Sequence, residues 1–124
     1  MAVNRIAARL VAIASKREST RMPLCAEIPG HTLHVIQRAH LHAECFFGIA
    51  DRTAYLGMLC EHARQTGCSV HAYVLMGNHV HLLLTPSLEG AVVSLMRMMA
   101  LDDTRQRGIV WEKRFDASPA HYPR

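Results

Sequence analysis

Residues 73–86 read YVLMGNHVHLLLTP (Tyr73–Pro86) and decide how the rest of the chain is organised. Gly77-Asn78 between two apolar runs is a hairpin signal, with one strand ending near Met76 and the next running His79–Pro86. Side chains on a strand alternate between faces, so His79 and His81 share one face, about 7 Å apart at their Cα atoms. Val80, Leu82 and Leu84 share the other. The expectation is that the leucine face meets a helix-covered core while the histidines stand on the open face of a central strand. Two imidazoles at this spacing can grip one cation. With a third polar ligand and water they suit Mg²⁺ or Mn²⁺, with positions left for a phosphate oxygen. The same H-x-H spacing also fits two solvent-side histidines on a half-exposed strand.

Working outward, HTLHVIQR (His31–Arg38) is rich in β-branched residues and reads as an earlier strand. Leu33, Val35 and Gln37 lie on one face and His34, Ile36 and Arg38 on the other. AHLHAECFFGIA (Ala39–Ala50) reads as loop with a turn at Gly48. DRTAYLGMLCEHARQTG (Asp51–Gly67) reads as an amphipathic helix capped by Asp51, with Tyr55, Leu56, Leu59, Cys60 and Ala63 inward and Gly67 as its stop. CSVHAYVLM (Cys68–Met76) is the first hairpin strand. A second helix is expected over Ser87–Leu101, with Val92, Leu95, Met96 and Met99 inward. Beyond Asp102 the pattern decays, and ASPAHYPR has no periodicity. The order strand, helix, strand, strand, helix predicts an α+β fold, an antiparallel sheet with helices packed on one face.

A chain of 124 residues leaves room for one core, and half of the residues are hydrophobic. We divide it into a basic N-terminal extension over 1–20, a folded domain over 21–116 and a tail over 117–124. Lys and Arg number 14 against 10 acidic residues, a net charge of +4 that favours an anionic partner such as nucleic acid. The four cysteines, Cys25, Cys45, Cys60 and Cys68, form no C-x-x-C pair, which favours reduced thiols and a cytoplasmic setting over a disulfide framework or a zinc site. No apolar run reaches the roughly 18 residues of a membrane span. Arg97, Arg105, Arg107, Lys113 and Arg114 form a late basic cluster that fits phosphates and equally a solvated face. Trp111 fits base stacking or a core site. Of the other histidines, His71 belongs to the partner strand of the hairpin and is the one expected nearest the motif.

YVLMGNHVHLLLTP resembles the His-hydrophobic-His signature of the REP-associated tyrosine transposases, commonly HAYVLMPNHVHLLLTP, with Gly77 in place of proline. EIPGHTLHVIQRA (Glu27–Ala39) is similar to the family's IPG…HVIQRG opening. Phe46-Phe47, Asp51, Tyr55-Leu56 and Leu59 match its first helix, and VWEKRF (Val110–Phe115) matches its LWEGRF. The resemblance covers about residues 22–115. It implies an HUH-type nuclease domain with a ferredoxin-like sheet that binds single-stranded or hairpin DNA, as a monomer or homodimer. In that family the two histidines, here His79 and His81, hold a divalent metal, and a tyrosine on a later helix attacks the phosphate, leaving a 5′-phosphotyrosine and a free 3′-OH. On this reading Gln37, Arg38, Asn78, Arg97, Lys113 and Arg114 are the residues nominated for DNA.

Three departures qualify the likeness. The family's QRGNNR loop is QRAHLHAE (Gln37–Glu44) here. MMALDDTRQRGIVWE (Met98–Glu112) runs almost directly into the Trp motif, where the family has a longer segment. Nothing resembles the family's tyrosine helix, RYIELNPVRAG, which implies a C-terminal truncation and the loss of a third metal ligand with it. Tyr122, between Pro119 and Pro123, is then the one tail tyrosine left to nominate as nucleophile. The alternative is an inactive remnant that only binds DNA hairpins.

Overall fold

β3 (His79–Pro86) lies inside a four-stranded sheet, flanked by β2 (Cys68–Leu75) and β1 (Leu33–Arg38), with β4 (Asp116–Pro119) on the far side of β1. All three pairings are antiparallel. This computed structural model describes residues 28–120; the N-terminal extension, Cys25 and Tyr122 lie outside the described residues. Two helices, α1 (Ile49–Thr66) and α2 (Ala91–Arg107), complete the fold. The α+β class and the hairpin order are those expected.

The core forms where the apolar face of the sheet meets both helices. Leu33 and Val35 of β1 and Val80, Leu82 and Leu84 of β3 pack with Tyr55 and Leu59 of α1 and Val92, Leu95, Met96 and Met99 of α2. Each such leucine contributes about 1.5–3 kcal/mol by leaving water. Trp111 is buried in the same cluster with Phe46 and Tyr55, the core alternative for that residue. Among the described cysteines, Cys45 and Cys60 are free thiols.

Several boundaries differ from expectation, each for a local reason. α1 starts at Ile49 with Gly48 as its N-cap, so Asp51 sits inside the first turn. From there its carboxylate accepts the Phe47 N–H at 2.8 Å, a favourable place for an anion beside unpaired amides. The inward stripe of α1 uses Met58, and Cys60 is exposed. α2 begins at Ala91 and runs to Arg107, past the point where its apolar pattern fades. Its last turns are held by an ion pair that hydrophobic periodicity does not register. ASPAHYPR carries no strand pattern, yet Asp116–Pro119 pairs with Leu33–Ile36 as an edge strand. The loop after β1 contains a 3-10 turn, His40–His42, with Leu41 and His42 both at φ 56.

β2 holds a bulge. Val70 pairs with Leu84 and Ala72 with Leu83, which leaves His71 as the extra residue. Cys68 and Val70 therefore face the core before it, and Tyr73 and Leu75 after it. His71 is exposed and bonds Thr85 Oγ1 at 2.7 Å, at the other end of β3 from His79; of its two readings, a further ligand beside the motif or a solvent-facing imidazole, the second holds.

Candidate functional site

Arg38 lies opposite His79 and Ile36 opposite His81 in the β1–β3 register. That register gathers His34, Arg38, His79 and His81 on the sheet face turned away from the two helices. The alternation read from YVLMGNHVHLLLTP is correct, but the face is not open. His81 is only 5% exposed, and Ile36, Leu83 and Ala72 on the same face are buried too. Leu83 and Ala72 pack with Val74 and Ala120 in a second, smaller apolar cluster. These residues are too apolar for a solvated sheet surface.

Each histidine has one ring nitrogen engaged. Nδ1 of His79 donates to Asn78 Oδ1 at 2.7 Å. Nδ1 of His81 shares a hydrogen bond of 3.1 Å with Nε2 of His34, whose ring stacks on it at 14° and 5.3 Å between centroids. The His79 and His81 rings meet edge to face, 4.9 Å apart. Burial lowers the pKa of both, with a further push from the Arg38 guanidinium. His81, with His34 and His79 also beside it, is brought down to about 3. Both imidazoles are therefore neutral at neutral pH, as a metal ligand must be. The donation to Asn78 leaves Nε2 of His79 as a bare lone pair. Among the described residues, no group of three or more His, Cys, Asp or Glu is placed to hold a metal. The donor set fits the first two positions of a divalent site and leaves the others to further groups.

The turn ahead of His79 is clamped from outside the hairpin. Ala39 N–H donates to the Asn78 carbonyl at 2.9 Å, and Cys45 N–H to that of Gly77 at 2.7 Å. The segment that departs most from the QRGNNR pattern thus fixes Asn78, and through it the His79 ring. Arg38 pairs with Asp116 at 2.7 Å, so the edge strand missed in the sequence holds the guanidinium that adjoins the histidines.

The residues nominated for DNA separate into two places. Arg38 and Asn78 adjoin the histidines. Gln37 faces the helix side, buried, and donates to the Glu112 carbonyl at 3.3 Å. There it lines a groove of about 450 Å³ together with Arg97, Lys113, Leu101 and Val110. Arg114 is exposed nearby in sequence. Sequence reasoning missed Asp103, and it counted His34 only among the several further histidines that could add a ligand, without its pairing to His81. Asp103 is fully buried, gripped by Arg107 and by Trp111 Nε1 at 2.8 Å; the i,i+4 spacing of Asp103 and Arg107 was the available signal. Arg107, read as part of the basic cluster, is spent on this pair and on the Cys45 carbonyl.

Residues 27–119 match the family model described as "Transposase IS200 like". The chain belongs to the IS200-like transposases. Its fold is also similar to two solved structures. One is a protein of Deinococcus radiodurans R1 assigned as a transposase, with TM-score 0.63 and 16% identity over 81% of this chain and 86% of that one. The other is a REP-associated tyrosine transposase bound to a REP hairpin, with TM-score 0.62 and 12% identity over 82% of this chain and 63% of that one. At these identities the likeness is one of fold. Comparison with curated proteins finds no match. No helix among the described residues of this IS200-like chain is long and apolar enough to cross a membrane.

Proposed function

We propose that this IS200-like transposase binds single-stranded or hairpin DNA in the cytoplasm and that His79 and His81 hold a divalent cation, Mg²⁺ or Mn²⁺, at the scissile phosphate. The observation that carries the reading is the pair of neutral imidazoles, each oriented by a bond at Nδ1, beside the Arg38 guanidinium. The bound ion would act as a Lewis acid on the phosphate. The protein's own contribution is orientation. Asn78 and the clamped turn set His79, β1 sets His81, and Arg38 supplies a fixed cation for a second phosphate oxygen. Arg97 and Lys113, with Arg114 beyond them, would track the DNA backbone without reading sequence.

Strand cleavage in this reading uses a tyrosine hydroxyl. It attacks phosphorus, the bond from phosphorus to the 3′ oxygen breaks, and that oxygen takes a proton, leaving a 5′-phosphotyrosine and a free 3′-OH. Tyr122, the nominated nucleophile, lies outside the described residues. Tyr55 is fully buried with its hydroxyl unpartnered, and burial pushes its pKa up, the reverse of an activated nucleophile. Tyr73 packs against the core from the opposite sheet face. That placement removes Tyr55 and Tyr73 as nucleophiles. The second reading is a chain that binds hairpins without cutting them.

One experiment separates these. The full chain is incubated with a 3′-labelled palindromic hairpin and Mn²⁺ or Mg²⁺, and a covalent adduct is sought on a denaturing gel, because a 5′-phosphotyrosine keeps the 3′-side fragment on the protein. An adduct lost in both His79→Ala and Tyr122→Phe supports cleavage by the proposed site. No adduct with the wild-type chain, alongside hairpin binding that persists in EDTA, rejects cleavage and leaves binding alone. Failure to bind any hairpin rejects both.

A further inference from the structure

His34 shares a buried hydrogen bond with His81, Nε2 to Nδ1 at 3.1 Å, and no role in the chemistry is yet attached to it. His34 pairs with Leu83 in the sheet, so it lies diagonally across from His81 on the same face, where long side chains of neighbouring strands touch. It is 1% exposed, and its ring is stacked against the ring it bonds.

A neutral imidazole carries one proton, so the direction of this bond decides what His81 can do at its other nitrogen. If His34 accepts, His81 carries its proton on Nδ1 and turns a bare Nε2 outward as a metal ligand. If His34 donates, His81 carries its proton on Nε2 and can only donate, to a phosphate oxygen for instance. His79 shows which arrangement the site adopts elsewhere. Its Nδ1 donates to Asn78 Oδ1, an oxygen that cannot donate, so its own Nε2 is bare. We infer that His34 is a positioning residue that accepts from His81 Nδ1–H, holding the His81 ring with Nε2 bare, so that His79 and His81 present matched lone pairs to one divalent cation. This rests on the metal reading proposed above. In this arrangement His34 is no ligand itself: its Nε2 lone pair is taken by His81 Nδ1–H, and its one proton sits on Nδ1. Outer groups of this kind fix the tautomer and orientation of ligating histidines, and their loss typically weakens metal binding about 10- to 100-fold.

The direct test needs no substitution. Long-range ¹H–¹⁵N correlation on the metal-free, ¹⁵N-labelled full chain at neutral pH reports which nitrogen of His81 is protonated. The expected result is protonated Nδ1 and bare Nε2; protonated Nε2 overturns the inference. Mn²⁺ titration by calorimetry then compares the wild type with His34→Leu, which fills the site without an acceptor, and His34→Gln, which restores an acceptor oxygen. Affinity is expected to fall about 10- to 100-fold in His34→Leu and to stay near wild type in His34→Gln, while hairpin binding in EDTA is unchanged in both. Equal Mn²⁺ affinity in the wild type and His34→Leu overturns the inference and spares the metal reading. A wild-type chain that binds no Mn²⁺ overturns the metal reading and this inference with it.

Discussion

The guanidinium of Arg107 grips the carboxylate of Asp103 through two hydrogen bonds, Nε to Oδ1 at 2.6 Å and Nη2 to Oδ2 at 2.7 Å. Both belong to the last turns of α2, and the pair is where helix, loop and core are joined. Arg107 Nη1 reaches across to the Cys45 carbonyl at 2.6 Å and lies 3.5 Å from Asp51, while its guanidinium sits over the Phe46 ring. The loop that clamps the Gly77-Asn78 turn is thereby tied to α2.

Removing one partner of this pair strands a buried charge. Asp103→Ala is expected to lower stability by about 3–5 kcal/mol, because Arg107 loses both of its short carboxylate bonds, keeping only the 3.5 Å approach to Asp51, and buried Trp111 Nε1 loses its acceptor. Replacing both, as Asp103→Leu with Arg107→Met, is expected to cost less than Asp103→Ala alone. Urea midpoints of the two variants decide the ordering, and equal losses would mean that the pair contributes through shape only.

His81 makes stability depend on acidity. Its folded-state pKa of about 3 lies below the ordinary value of 6.5, so below pH 6.5 the unfolded chain binds a proton that the folded chain refuses. The contribution is complete above about pH 6.5 and is lost progressively as pH falls toward 3, with a slope of at most ~1.4 kcal/mol per pH unit. Metal-free His81→Leu is expected to show a shallower fall in urea midpoint over that window. An unchanged slope would place the acid sensitivity on other groups.

If the groove between α2 and residues 110–115 carries phosphates, its charges set the salt dependence of binding. Arg97→Ala and Lys113→Ala are each expected to weaken hairpin binding uniformly across sequences. Each should also reduce the slope of log K against log salt by about 1. Anisotropy titrations at several salt concentrations give that slope, and a slope identical to wild type would exclude these residues as phosphate contacts.

Two glycines of α1 should respond in opposite directions to alanine. Gly67 ends the helix at φ +83, and an added Cβ would stand 2.5 Å from Ser87 Oγ. Gly67→Ala is expected to cost roughly 1–2 kcal/mol from the left-handed backbone. Gly57 lies in the exposed helix interior, and an added Cβ there would meet nothing within 4 Å. Gly57→Ala is expected to stabilise by about 0.5–1 kcal/mol. Thermal or urea unfolding of both measures the contrast, and a destabilised Gly57→Ala would contradict the open surface described.

What could be read before folding followed from short-range regularities. The period-2 run around His79–Pro86 gives a central strand with Val80, Leu82 and Leu84 inward, because a strand has only two faces. Gly77-Asn78 marks the turn by its break between two apolar runs, and Gly67 marks the helix stop, since few residues tolerate its left-handed backbone. The histidine pair was visible as a pattern for the same reason. Tertiary structure alone decided the burial of His81, because burial depends on what neighbouring strands bring to the face: Ile36, Leu83 and the ring of His34. It decided that α2 extends to Arg107, because a buried ion pair with Trp111 replaces the missing apolar stripe. It decided β4, whose four residues pair with β1 through backbone groups that every sequence carries. Alternation along one strand therefore determined which way the histidines point. The side chains across the sheet, His34 against His81 and Asn78 against His79, decided how those rings are oriented, because contacts between distant residues leave no periodicity to read.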